Sequence, residues 1–200
     1  QAVRMRLIRK AVWKAAGACK DITAAHLQAV ADLLEKQTGR YVKLPYGLTA
    51  TRVYNVIEIM GKRKETEKIC LPIDTDRLPE NLLAGEWKFS FKKFPYDGNT
   101  DKIPRKMYTK WFDYDKIKDS LAIRNRRKGD YFVLDAAGHH KKLEDYFVNE
   151  KIPASHRDEQ LLLAGEDEIF WIVGGRMAYG TGISDATRWV LEITASNSSH

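Results

Sequence analysis

The sequence predicts an α+β protein in two parts: a helical pair with an antiparallel sheet, then a small mixed α/β domain with a short helix packed on an antiparallel sheet. Apolar residues first recur at helical spacing, and from Tyr41 the period changes to two. Near Ser120 a second series of short strands begins around one amphipathic helix. The expected domains are 1–118 and 119–195, with a polar, frayed tail at 196–200.

Met5, Ile8, Val12 and Ala16 line one face of a helix over 3–16, and Arg4, Arg6, Arg9, Lys10 and Lys14 lie off that face. A second helix is capped by Thr23, runs through Leu27, Val30, Leu33 and Leu34, and stops before Gly39. Together they read as an antiparallel pair with a buried seam and a solvated basic face. Val42 and Leu44 precede a Pro45-Tyr46-Gly47 turn, and 48–54 and 56–60 are strands. A charged loop over 61–68 leads to strands at 68–73 and 86–94. In the latter, Trp87, Phe89 and Phe91 alternate with Lys88 and Ser90. After a loop over 95–105, a further strand falls at 107–113.

In the second part, strands are expected at 121–125 and 131–134 around a Gly129-Asp130 turn. A small-residue loop over 135–140 leads to a helix over 141–150 that buries Leu143, Tyr146 and Phe147, closed by Ile152-Pro153. A polar turn over 155–160 follows. Residues 161–164 and 168–173 flank Gly165-Glu166-Asp167 as a hairpin, Gly174-Gly175 turns the chain into a strand at 176–179, and 187–193 is the last strand.

With 44% hydrophobic and 30% charged residues, the 200-residue chain is globular and long enough to bury a core. No apolar run approaches the roughly 18 residues that cross a bilayer, and the basic N-terminus lacks a secretory h-region. The chain starts without methionine inside a helix, as a piece of a longer protein would. Cys19 and Cys70 are expected as two buried, reduced thiols of a cytosolic protein. Net charge is +7, and residues 1–70 carry 14 Lys+Arg against 6 Asp+Glu, while 121–200 carry 10 against 12. A basic first third is compatible with a nucleic-acid partner.

The sequence contains neither a Walker phosphate loop nor a Ser-Gly-Gly-x-Asp-Ser run, and no Gly-x-Ser-x-Gly elbow. His139-His140 lacks a carboxylate or cysteine spaced to complete a metal site, so no metal is expected. No nucleophile, base and orienter can be assembled, and no catalytic residue is assigned. Two positive clusters stand out in the acidic last part. Arg124, Arg126, Arg127 and Lys128 form a compact anion site, with strand alternation placing Arg124 and Arg126 on one face. His139, His140, Lys141 and Lys142 are expected at a helix start, where positive charge opposes the dipole at about 0.3–1 kcal/mol per exposed position. A phosphate ligand explains such placement better than folding does, the alternative being a solvated charge run with Asp130, Glu144 and Asp145 as local partners.

The run from Phe112 to Ile117, then Leu121-Ala122-Ile123-Arg124-Asn125-Arg126-Arg127-Lys128-Gly129-Asp130-Tyr131-Phe132, the stretch 141–153, Arg157, 167–171 and Gly175-Arg176 closely resemble the C-terminal domain of tRNA(Ile)-lysidine synthetases. Val42 to Leu48 and the helical pair look like the substrate-binding region that precedes it. The resemblance implies a ligase that joins the ε-amino group of lysine to the wobble cytidine of the CAU-anticodon isoleucine tRNA after ATP adenylates the base. It implies cytoplasmic location and tRNA, ATP and lysine as partners, with ATP and magnesium used by an N-terminal ATP-pyrophosphatase-type domain. None of that domain matches this sequence, so no cofactor is assigned to this chain. By matching position, Arg124, Arg126, Arg127, Lys128, Lys141, Lys142, Arg157 and Arg176 become the tRNA-contact candidates. Gly129-Asp130 is expected to set a turn. Residues 133–140 depart from the family's Gly-rich form, so His139 and His140 inherit little.

Two other readings stand beside this one. A protein-interaction or dimerisation module would use the basic helix and exposed aromatics to meet another subunit, giving a homodimer. A self-contained small enzyme would need a site that these residues do not supply.

Overall fold

A computed structural model describes residues 2–17, 20–61, 68–117 and 121–197, divided into two compact units, 1–66 and 67–200. In the first unit, helix α1 (Ala2–Ala16) buries Ile8 and Val12 against Leu27, Val30 and Ala31 of α2 (Ala24–Asp32). Its remaining surface keeps all five expected cations outside, together with Val3, Leu7 and Trp13. Thr23 caps α2: its hydroxyl accepts from the His26 backbone N–H at 3.4 Å, and His26 Nδ1 accepts from the Thr23 N–H at 3.2 Å. A one-turn 3-10 helix (Leu33–Glu35) extends α2 toward Gly39. Strands β1 (Tyr41–Lys43), β2 (Thr49–Val53) and β3 (Val56–Met60) form an antiparallel sheet in that order. Leu44, Leu48 and Ala50 face the helices.

The second unit holds β4 (Cys70–Pro72), β5 (Asn81–Ala84), β6 (Trp87–Pro95), β7 (Thr109–Asp113) and α3 (Tyr114–Ile117). It continues with β8 (Ala122–Arg124), β9 (Tyr131–Val133), β10 (His140–Lys142), α4 (Leu143–Asn149) and α5 (Ala154–Arg157). Strands β11 (Leu162–Ala164), β12 (Ile169–Ile172) and β13 (Trp189–Asn197) complete it. Two four-stranded sheets, β12-β11-β8-β4 and β5-β6-β13-β7, share a core of Phe89, Phe112, Ile123, Leu163, Trp171, Leu191 and Ile193. On the other face of β11 and β12, Leu162, Ile169 and Ile172 pack with Phe132 of the β9–β10 hairpin and Leu143 and Phe147 of α4. The sheet is covered on both faces there, so 161–164 reads as a continuous apolar run without alternation. The α+β class and the antiparallel pairings agree with the sequence expectation.

Several elements differ from expectation. The contacts do not break at 118: β4 pairs with β8 and β6 with β13, so strands before and after that point share both four-stranded sheets. The stretch before Trp87 contains β5, joined to β6 by a two-residue turn with Gly85 at φ +62°. His140, Lys141 and Lys142 form a strand opposite Val133, Phe132 and Tyr131, so the helix starts only at Leu143. Residues 176–179 contribute one isolated bridge, Trp171 to Met177, instead of a strand. Residues 194–197 extend β13 past the expected end of the last strand at 193, so Ser196 and Asn197 belong to the sheet and not to a tail, and 198–200 lie outside the described residues. Cys70 is a free, exposed thiol on the edge strand β4, contrary to the expected burial; Cys19 lies outside the described residues, as does the expected loop at 62–67. Among the described residues no helix is long and apolar enough to cross a membrane.

Candidate functional site

The turn between β8 and β9 is built on a buried ion pair. Arg124 is 1% exposed, and its guanidinium clasps Asp130 in two parallel bonds: NH1 to Oδ2 at 2.9 Å and NH2 to Oδ1 at 2.8 Å. NH1 also donates to the Asn125 carbonyl at 3.1 Å and NH2 to the Glu166 carbonyl at 3.0 Å. Asp130 Oδ2 accepts the Arg127 backbone N–H at 2.7 Å, and the Asp130 carbonyl accepts the Leu143 N–H at 2.9 Å. Arg124 therefore has no face for an external phosphate, which corrects its placement among the contact residues. Strand alternation does not report this burial: Arg124 lies opposite Leu162 of β11, which packs with Phe132, Leu143 and Phe147.

The other candidates lie on or near the surface. Arg126 is half-buried, with Asp158 and Glu144 as partners. Arg127 is exposed, and its NH2 donates to Cys70 Sγ at 3.0 Å. Lys128 is exposed at the tip, beside Gly129 at φ +98°. Lys142 is exposed, in the N-cap position of α4. Lys141 is half-buried opposite Phe132, and the Asn149 amide, turned with its oxygen toward Lys141, accepts from Nζ at 2.7 Å. Arg157 Nε donates to the Ile152 carbonyl at 2.9 Å. Exposed Arg176 donates from NH2 to the Leu134 carbonyl at 3.2 Å and lies 5.6 Å from the Phe132 ring centroid.

Arg126 joins this turn to the first turn of α4 through Glu144 and to the residue after α5 through Asp158. The structure thus brings Arg126, Lys142 and Arg157 into one neighbourhood, with Arg127 and Lys128 on the adjoining turn. Arg176 sits with Leu134, past the other end of β9. The helix-dipole argument applies to Lys142 alone, the N-cap residue of α4: Lys141 is a strand residue, and the first turn of α4 carries Glu144 and Asp145, the sign the dipole favours. Glu144 was among the local carboxylates the sequence offered as partners of the cations, whereas Asp158, the closer partner of Arg126, was not visible from spacing alone.

His139 and His140 have local roles. His139 Nδ1 lies 2.8 Å from Asp135 Oδ2, and this contact holds the Asp135 carboxyl below its usual range. His140 packs edge-on against Tyr131 at 4.8 Å between ring centroids. Tyr146 packs on Phe132, with ring centroids 5.4 Å apart, and burial pushes its phenol upward, with Glu150 adding to the effect and Arg176 opposing it. Among the described residues no group of three His, Cys, Asp or Glu is placed to hold a metal.

Fold and loop together define a mixed α/β domain that displays a cationic turn between two strands. Residues 121–193 match the family model described as the TilS substrate C-terminal domain. The chain is 32% identical over 193 residues to the tRNA(Ile)-lysidine synthase of Caldanaerobacter subterraneus subsp. tengcongensis, covering 96% of this chain and 41% of that protein. It is 27% identical over 201 residues to the tRNA(Ile)-lysidine synthase of Clostridium tetani, covering 96% and 42%. The chain thus spans about two fifths of the length of these relatives. A crystal structure described as the TILS C-terminal domain aligns with a TM-score of 0.49 and 19% identity, covering 66% of this chain and 98% of the other.

Proposed function

We propose that this chain is the tRNA-recognition portion of a tRNA(Ile)-lysidine synthase. It holds the CAU-anticodon isoleucine tRNA in the cytoplasm while an ATP-using domain adenylates the wobble cytidine and joins lysine to it. ATP, lysine and any magnesium are handled by that other domain. The observation that carries the reading is the coincidence of the family match over 121–193 with the exposed turn of Arg127 and Lys128 and the neighbouring Arg126 and Lys142. Arginine forks and lysine ammonium groups on a pinned turn suit phosphate oxygens, and phosphate contacts fix register on an RNA without reading its sequence. Lys141 and Arg157, each with an amide or backbone partner, flank this centre, and Arg176 lies beyond the other end of β9.

A second reading, self-association, is favoured by the exposed Val3, Leu7 and Trp13 of α1. Sedimentation velocity of the full-length protein, with and without an isoleucine tRNA transcript, separates the two. A complex that forms with tRNA and is lost on neutralising Arg127, Lys128 and Lys142 supports the tRNA reading. Concentration-dependent mass without RNA, and no complex with it, supports self-association.

A further inference from the structure

We infer that Arg124 and Asp130 are positioning residues for the tRNA grip: buried themselves, they preset the backbone from which Arg126, Arg127 and Lys128 project. The inference rests on the proposed tRNA reading and adds to it a role for two residues that cannot touch RNA.

Arg124 and Asp130 are 1% and 2% exposed. Replacing a buried ion pair by apolar residues of similar volume is often neutral for stability, so packing alone does not call for charges here. What an apolar pair could not do is bond the backbone. Asp130 Oδ2 holds the Arg127 N–H, Arg124 NH1 holds the Asn125 carbonyl, and Arg124 NH2 reaches the Glu166 carbonyl in the β11–β12 turn. The Asp130 main chain adds a bond to α4 through Leu143. The turn is therefore fixed at its beginning and its end, and only 126–129 lies between. Arg124 Nε has no partner among the described residues, so the pair accepts an unsatisfied donor to keep this geometry. Pinning the turn before RNA arrives removes an ordering cost from binding.

The test uses the charge-neutral double variant Arg124→Met/Asp130→Leu in the full-length protein, beside Arg126→Ala/Arg127→Ala/Lys128→Ala, with an isoleucine tRNA transcript titrated across salt. Positioning predicts that the folded double variant, with every exposed cation retained, loses roughly tenfold in affinity. Its log–log salt slope should shrink by about two to three, approaching that of the triple variant, since each lost phosphate contact removes about 0.9. A folded double variant with unchanged affinity and slope overturns the inference and leaves the tRNA reading standing. A triple variant that binds like the wild type overturns both. Amide exchange on the wild-type protein covers the case of a double variant that does not fold. The Arg127 N–H should be protected before tRNA is added and unchanged afterwards; protection that arises only with tRNA contradicts positioning.

Discussion

Arg126 and Asp158 form a tight but accessible ion pair: Nε and NH2 both lie 2.7 Å from Asp158 Oδ1. The side chains are 31% and 43% exposed, so the pair contributes at most about 1 kcal/mol to stability. Its greater effect is on charge offered to a ligand, because Asp158 neutralises a cation that would otherwise face a phosphate. Asp158→Asn is expected to tighten tRNA binding by about two- to fivefold at low salt, with a smaller gain at high salt. Filter binding at two ionic strengths checks this.

Arg124 and Arg127 sit three positions apart and should fail in opposite ways. Arg124→Ala leaves Asp130 buried without its partner and is expected to cost about 3–5 kcal/mol. Arg127→Ala removes an exposed side chain and should change stability by no more than about 0.5 kcal/mol while weakening tRNA binding. Urea unfolding of the two variants reads the contrast directly.

Gly174 is required by its conformation, and a side chain there would also have to displace the far end of the exposed Tyr108 side chain. The glycine sits at φ +77°, and a Cβ there would lie 2.7 Å from Tyr108 Cε1. Gly174→Ala should therefore destabilise the second unit by about 1–3 kcal/mol. Thermal denaturation beside Gly138→Ala, also at positive φ but with no atom within 4 Å of the added Cβ, separates the clash from the backbone strain.

The Asp135–His139 contact makes the β9–β10 tip sensitive to acid. A carboxyl whose folded pKa is depressed contributes stability that is present above its unfolded value and lost as pH falls through the folded one. The Asp135 side chain, held down first by the His139 side chain and then by backbone N–H groups of His139 and Ala137, should have its titration midpoint below the ordinary aspartate range. NMR titration of its carboxyl is expected to show this midpoint, and His139→Ala should move it back toward the ordinary value.

Much of the architecture is legible in the sequence where burial is one-sided. The α1 stripe of Met5, Ile8, Val12 and Ala16 and the alternation of Trp87, Phe89 and Phe91 each report a single buried face, and the Thr23 cap reports a helix start. Legibility fails where an element's partner is distant in sequence. Nothing local distinguishes His140 to Lys142 as a strand from a helix start, because pairing with β9 decides it. The same applies to Arg124, which in sequence is one cation among four. Its burial depends on Asp130 closing the turn and on the Glu166 carbonyl, 42 positions away. The cationic turn itself was visible as a cluster, since Arg127 and Lys128 project from a tip that Gly129 and Asp130 announce.

The most direct test is the salt dependence of binding between the full-length protein and an isoleucine tRNA transcript, from about 50 to about 200 mM salt. Wild type should be compared with single alanine variants at Arg127, Lys128 and Lys142. If these residues contact phosphates, wild-type affinity falls steeply with salt, and each variant shortens the log–log slope by about 0.9. Salt-insensitive binding, or three variants with the wild-type slope, would contradict the proposal that this surface holds the tRNA.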